Sequence, residues 1–449
     1  MTKTAAVVLA AGMGTRMKSD LPKVLHPVAG RPMVAHVTGT LEALADGLER
    51  LVVVIGPDMD AVAQVVAPHP TAVQWDRFGT GHAVLQAREA LADSAAETVL
   101  VVYGDTPLIT GETLARMVAA RQGGENPAVV VLGFRPADPT GYGRLVTGAG
   151  GLEAIVEQKD ATEEQQAITL CNSGVMAIDA ELLFPLLERV GNDNAKGEYY
   201  LTDIVALARS EGRNCAVVEG TEQEMLGVNS RLELTQAERI CQDRLRRRAM
   251  ENGATLVAPE TVFFSADTVL GRDVLIEPFV TFGAGVTVAD GVVIKSFCHL
   301  EGATLGAGVT LGPHARLRPG TDLQDGARVG TFVEVKNSTV EAGAMVNHLA
   351  FIGDARVGAK ATVGAGTITC NFDGFDKHHT DIGAGAFIGS NTALVAPVAV
   401  GDGAFVGAGS TITRDVPAEA LALTRANLTQ REGWATKLHR RVARVLVKK

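Results

Sequence analysis

A six-residue beat of aliphatic side chains runs from Val274 to Ile412, and it restricts that half of the chain to very few folds. Val274, Val280, Val286 and Val292 keep the interval. Leu305, Leu311, Leu317, Leu323, Val329 and Val335 resume it, and Ile382, Ile388, Leu394, Val400, Val406 and Ile412 carry it to its end. Small residues, mostly Gly, Ala and Ser, crowd the positions between. Such a period is neither that of a helix nor that of an alternating strand. It predicts a hexapeptide β-helix, in which each short strand sends one aliphatic side chain into a narrow shaft. Glycine serves corners whose backbone angles resist side chains. An aromatic content of 4% suits coils too thin for rings. Cys298, six after Val292, is expected to fill the shaft as its neighbours do. The beat is disturbed near 298–305 and 335–340, and it is lost in CNFDGFDKHHT (370–380), which reads as an extruded loop.

The other half follows a different pattern. AAVVLAAG (5–12), RLVVVIG (50–56), TVLVVYGD (98–105) and AVVVLGF (128–134) read as buried parallel strands. PMVAHVTGTLEAL (32–44) and HAVLQAREALA (82–92) read as covering helices. Strands alternating with helices predict an α/β doubly wound, Rossmann-like domain over 1–230, with ligands at the carboxyl ends of its strands. Residues 231–252 lack Gly and Pro and predict one linker helix, ended at Asn252-Gly253, with Leu232, Leu234, Ile240, Leu245 and Met250 as its apolar face. The β-helix domain takes 253–449, and its basic tail, Lys437 to Lys449, reads as helical or frayed. A net charge of −10 argues against a nucleic-acid partner. No apolar run reaches the roughly 18 residues of a membrane span. The apolar start flows into a glycine loop and reads as a strand rather than a signal peptide. Five scattered cysteines without metal spacing are expected as free thiols in a reducing cytoplasm.

The chemistry of the first half starts at LAAGMGTRM (9–17). Gly12 and Gly14 let the backbone approach an anion, whose charge successive N–H groups can cradle; Arg16 and Lys23 add fixed positive charge. The string lacks the third glycine of the dinucleotide fingerprint and the Gly-Lys-Ser/Thr of a Walker loop. Tyr103-Gly104-Asp105 closes a strand with a lone acid, a natural Mg²⁺ ligand and equally a possible helix cap. With Pro22-Lys23 following, LAAGMGTRM closely resembles the signature of the sugar-phosphate nucleotidylyltransferases. Five further strings stand in that family's order: FGTGHA (78–83), PTGYGR (139–144), IVEQKDAT (155–162), CNSGVM (171–176) and NAKGEYYLTDIV (194–205). The resemblance implies that Leu9, Ala10, Ala11, Gly12, Tyr103 and Gly104 bind substrate. It implies that Gln74, Gly79 and Thr80 read uracil, with His82 structural. Gly141, Glu157 and Asn172 would hold an N-acetylated sugar. Asn229 would join Asp105 on Mg²⁺, although either Asn229 or Ser230 could instead cap the next helix. The implied reaction is attack of a sugar 1-phosphate oxygen on the α-phosphorus of UTP, with Arg16 and Lys23 steadying the triphosphate.

In the second half, polar residues break the beat in ARLRPG, VEVKNS, VNHLAF and TCNFDG. These strings resemble the acetyltransferase half of the bacterial bifunctional N-acetylglucosamine-1-phosphate uridylyltransferase/glucosamine-1-phosphate acetyltransferase family, and the combined resemblance covers residues 4–436. It implies that the β-helix is left-handed, against the usual crossover rule. His348 would be the general base. Arg318, Lys336, Phe351, Thr362 and Lys377 would bind glucosamine 1-phosphate, and Ala365, Asn371, Phe372, Ser390, Ala408 and Arg425 would bind acetyl-CoA. Phe351 and Phe372 stand where the family usually has Tyr, and Thr362 where it has Asn. Each lost hydroxyl removes a hydrogen bond contributing about 0.5–1.5 kcal/mol. The implied product, UDP-N-acetylglucosamine, feeds peptidoglycan and lipopolysaccharide synthesis, and the implied assembly is a cytoplasmic homotrimer. The alternative is a uridylyltransferase whose β-helix serves only as a trimerisation scaffold.

Overall fold

The computed structural model describes residues 3–44, 47–148 and 150–446, with side chains as far as 440. The chain divides into two compact units, Met1–Arg248 with Phe264–Ala266, and Ala249–Phe263 with Asp267–Lys449.

The first unit is built on nine strands: β1 (Thr4–Leu9), β2 (Leu48–Ile55), β3 (Thr71–Val73), β4 (Thr98–Tyr103), β5 (Val129–Phe134), β6 (Arg144–Gly148), β7 (Gly151–Val156), β8 (Cys171–Asp179) and β9 (Cys215–Glu219). They lie in the order β3-β2-β1-β4-β8-β5-β9-β7-β6. Val7, Val52, Val54, Val99 and Val101 pack on one face. Ala6, Val8, Val53, Leu100 and Val102 pack on the other. Both faces are therefore apolar, which explains why these strands read as unbroken hydrophobic runs. The sheet is mixed. β8 runs antiparallel between β4 and β5, so the run at 128–134 does not pair with the other three expected strands. The stretch 82–92 forms two short helices, Thr80–Leu85 and Arg88–Leu91, instead of one.

A single helix spans Arg231–Glu251. Its buried stripe passes through Ala237, Ile240 and Cys241, and Leu234 and Leu245 pack against it. That stripe follows i, i+3, i+4 spacing and leaves Leu232 84% exposed and Met250 exposed, contrary to the expected face. At its start the Ser230 hydroxyl accepts from the Glu233 N–H at 3.4 Å, and the Glu233 carboxylate accepts from the Asn229 N–H at 2.7 Å. Ser230 is thus the cap, and the Asn229 side chain is not used for it.

The second unit winds strands of two to four residues into three parallel sheets of ten, eight and eight strands. Leu275 pairs with Val293, so one coil takes three hexads. Each face sends two side chains inward rather than the expected one: Val274 with Ile276, Val280 with Phe282, Cys298 with Leu300, Ala315 with Leu317 are all buried. The run from Val274 to Val292 marks the first of these slots. Later coils mostly fill that slot with Ala, Ser or Thr, so the visible beat passes to the second. All five cysteines are free. Burial pushes the Cys298 thiol up to about 11, as it does Cys215 and Cys241, which keeps them unreactive. Among the described residues no helix is long and apolar enough to cross a membrane. The tail forms a helix, Trp434–Leu446; residues 447–449 lie outside the described ones.

One corner of the coils carries a ladder of left-handed residues. Phe279, Phe297, His314, Phe332 and Leu349 take φ between 55° and 63°. Each such conformation costs roughly 1–2 kcal/mol outside glycine. Ring stacking at 4.8–5.0 Å from Phe279 to Phe332 offsets part of it, at about 0.5–1.5 kcal/mol per pair. The same corner continues upward into the residues of the second candidate site.

Candidate active sites

Parallel strands deliver their following loops to one edge of the first unit, and a cavity of about 320 Å³ opens there. Leu9, Ala10, Ala11, Gly12, Lys23, Gln74, Gly79, Thr80, Tyr103 and Asp105 line it. A larger cleft of about 750 Å³ lies at the amino end of β4. Its arginines are already paired, Arg88 with Glu188 and Arg121 with Asp179, so we discount it as the reaction site.

Lys23 is the electrostatic centre of the first site. Its ammonium donates to the Asp105 carboxylate and, at 2.9 Å, to the Asn229 amide oxygen. The backbone ties these loops together, with Val228 N–H donating to Asp105 C=O at 2.9 Å. Gly14, at φ 64°, lies flat against the Lys23 stem, and a Cβ there would meet it at 2.5 Å. Asp105 caps no helix: the next one starts at Gly111 with Thr110 as its cap. The two oxygens that grip Lys23 are hard donors set around a positive charge, which fits Mg²⁺ with two protein ligands.

Gln74 is buried, and its amide nitrogen donates to Gly79 C=O at 3.1 Å and faces His82 Nδ1 at 3.2 Å. The Gly79 contact uses one amide N–H and leaves the amide oxygen as an acceptor for a ligand N–H. The other ring nitrogen of His82 lies 3.3 Å from the Gln86 amide nitrogen, so the ring sits between two glutamine side chains. Burial pushes the Tyr103 phenol up, and the charges of Asp105 and Glu157 add to this, so it stays a neutral donor. Thr80 accepts from Leu201 N–H at 3.0 Å. Gly143 separates Glu157 from Asn172, which flank it at 3.3 and 3.6 Å from its Cβ position. Burial raises the Glu157 carboxyl, with Asp160, Asp203 and Glu198 adding repulsion. Gly141 N–H donates to the Gln158 side chain. Glu157, Asn172, Gly141, Gly104 and Asn229 do not line the cavity, and neither does Arg16, which is exposed on its short helix.

In the second unit, backbone bonds stack four expected residues on one corner. Gly366 N–H donates to His348 C=O at 3.0 Å, Asn391 to Ala365 at 2.7 Å, and Gly409 to Ser390 at 2.8 Å. His348 is exposed at the end of Met345–His348, and Ala408 sits one coil above Ser390. The Arg425 guanidinium reaches to 3.4 Å from the Cβ position of Gly407.

A different corner gathers cations. Arg318 follows the strand Arg316–Leu317, and Lys336 ends the neighbouring strand Glu334–Lys336. Lys377 contacts Lys336, and that contact together with its charge and that of Arg318 lowers the Lys336 ammonium below its usual range. Repulsion of this kind is relieved by a bound anion such as a phosphate. Arg318 also donates to Glu334 at 3.0 Å. Asn371 donates to Asp354, and the Phe351 ring lies beside Asn371 over Gly353. Burial alone would raise the Asp354 carboxyl; Asn337, Asn371, Lys336 and Lys377 outweigh it and hold it low. Phe372 bridges to Lys377 across the extruded loop. Thr362 stands apart, in the ten-stranded sheet between Met345 and Phe387.

The model of a MobA-like NTP transferase domain matches residues 6–193. The model of the bacterial transferase hexapeptide, six repeats, matches 267–302 and 379–414. The bifunctional protein GlmU of Rhodospirillum rubrum is 69% identical over 445 residues, covering 99% of both chains. That of Paramagnetospirillum magneticum is 62% identical over 448 residues, covering 100% of this chain and 99% of its own. The chain belongs to the bifunctional GlmU family. Azorhizobium caulinodans GlmU, at 59% over 436 residues, agrees over 96% of each chain. As a GlmU family member the chain is a bifunctional transferase of UDP-N-acetylglucosamine synthesis, a uridylyltransferase using Mg²⁺ joined to an acetyltransferase using acetyl-CoA. The scaffold-only alternative is not favoured. Sequence reasoning missed Arg77 and Glu198, which also line the first cavity. Arg77 lay in plain view, a cation between Gln74 and Gly79.

Proposed function

We propose that the two activities divide between the two residue sets as follows. The Leu9–Gly12 backbone and Gln74, Gly79 and Thr80 hold UTP by its base, while Lys23 and Arg16 meet its phosphates. Gly141, Glu157 and Asn172 hold N-acetylglucosamine 1-phosphate, with Tyr103 and Gly104 between the two ligands. Asp105 and Asn229 hold Mg²⁺, which supplies charge neutralisation at the reacting phosphates. The observation that carries this reading is the Lys23 ammonium held between two hard oxygens, a positive charge where the cation belongs.

In the second unit His348 takes the proton from the sugar amine as it attacks the thioester. Arg318, Lys336 and Lys377 bind the sugar phosphate beside Phe351, and Thr362 contacts the sugar from the sheet that holds His348. Ala365, Asn371, Phe372, Ser390, Ala408 and Arg425 line the acetyl-CoA groove. His348 and the cations occupy different corners of one chain, which supports a site shared between copies. On this reading the β-helix is left-handed and the enzyme is a cytoplasmic homotrimer. Sedimentation at micromolar concentration is expected to give a trimer; a clean monomer would refute the shared site.

Acetylation comes first. Given glucosamine 1-phosphate and UTP, the intact chain is expected to release pyrophosphate only after acetyl-CoA is added. Equal release without acetyl-CoA would overturn this order.

A further inference from the structure

We infer that Arg77 is a positioning residue that sets the nucleobase end of the uridylyl-transfer site. The inference rests on the reading of Gln74 as the group facing uracil. Three neighbouring parallel strands, β3, β2 and β1, end at this edge. Gln74 follows β3, Gly56 follows β2, and Ala10 and Ala11 follow β1. Backbone bonds still join these ends, Gln74 N–H to Ile55 C=O and Ala10 N–H to Val54 C=O, both at 2.8 Å. Beyond them the ladder stops, and the Arg77 side chain takes over. From the loop after β3 it crosses the end of β2, and its Nε donates to Ala11 C=O at 2.9 Å. The span is two strand spacings, roughly 10 Å.

Gly56 makes that crossing possible. A Cβ there would stand 2.6 Å from a terminal nitrogen of Arg77 and 3.3 Å from the Ala11 carbonyl oxygen. It would point into the hydrogen bond itself. Among the described residues no carboxylate forms an ion pair with Arg77, so the bond to Ala11 is not a by-product of a salt bridge. Ala11 and Arg77 both line the cavity with Gln74. The pin therefore fixes the height of the glycine loop relative to the acceptor on Gln74, and with it the width of the slot for the base. Glu157 and Asn172 lie on or beside β7 and β8, outside its reach.

The test is steady-state kinetics of uridylyl transfer on the full chain, with each substrate varied. Arg77→Ala is expected to raise KM for UTP about tenfold, the size of one charge-assisted hydrogen bond, with kcat and KM for N-acetylglucosamine 1-phosphate within about twofold. Arg77→Lys, which keeps the charge but loses Nε, should behave alike. Gly56→Ala displaces the guanidinium most, at 2.6 Å against 3.3 Å for the Ala11 carbonyl oxygen, and should give the same phenotype more weakly. The double variant should be no worse than Arg77→Ala alone, because both remove one bond. Additive effects, or equal rises in both KM values, would overturn the inference. Gln74→Ala separates it from its premise. If that variant raises KM for UTP while Arg77→Ala does not, the inference alone fails. If Gln74→Ala has no effect, the nucleobase reading fails and the inference with it.

Discussion

Replacing His348 with Ala is expected to lower acetylation of glucosamine 1-phosphate by about 10²–10⁴-fold and leave uridylyl transfer unchanged. The size follows from losing a general base. The neutral amine of the sugar must shed a proton as its nitrogen attacks the thioester carbon and the coenzyme A thiolate leaves, and water replaces imidazole poorly in that role. The variant should fold normally. His348 is exposed, and its ring makes no hydrogen bond among the described residues; its place in the coil is held by backbone bonds through Gly366 and Leu349. Exposed substitutions of this kind usually change stability by less than about 0.5 kcal/mol. The measurement is thiol release from acetyl-CoA, with the protein's five cysteines subtracted. Retention of half the activity would end the assignment of the base. A loss confined to KM for the sugar phosphate would move His348 into the binding set.

Much of the β-helix was legible because its physics is periodic. A narrow shaft repeats its apolar positions every six residues, and Cys298 keeps that place as readily as Val292. That each coil face has two inward slots was hidden because in most later coils Ala, Ser and Thr fill the first, and those residues are equally at home on surfaces. β8 was hidden for a related reason. Its polar start, Cys171-Asn172-Ser173-Gly174, includes Asn172 of the proposed sugar site, and an antiparallel strand at the centre of a sheet leaves no periodic mark of its own. The helix cap was ambiguous in sequence, since Asn and Ser both cap well; only the Glu233 contacts decide for Ser230. Arg77 shows a limit of another kind. The partner that gives it meaning is a backbone carbonyl on a distant loop, and Gly56 contributes by what it lacks. The split of His348 and Lys336 between two corners was invisible as well, because five and six residue steps look alike until the coils are wound.

Replacing Asp105 with Ala is expected to reduce uridylyl transfer by at least about 10²-fold while acetylation proceeds normally. Two explanations of such a loss must be told apart. In the first, Asp105 holds Mg²⁺ with Asn229, and the variant loses the cation. In the second, Asp105 merely holds Lys23, and its loss lets the ammonium wander. The geometry makes both contacts real, since Lys23 bridges Asp105 and Asn229. Metal dependence separates them. The native enzyme should be silenced by a chelator and restored by Mg²⁺, with a saturable response. If Asp105 is a ligand, the variant's apparent Kd for Mg²⁺ weakens by an order of magnitude or more, and Lys23→Ala leaves that Kd unchanged or tightens it, because a competing positive charge is gone. If Asp105 only positions Lys23, the two variants lose similar activity and both keep the native Mg²⁺ response. That second pattern would remove Asp105 from the metal site and would leave Asn229 without a protein partner there.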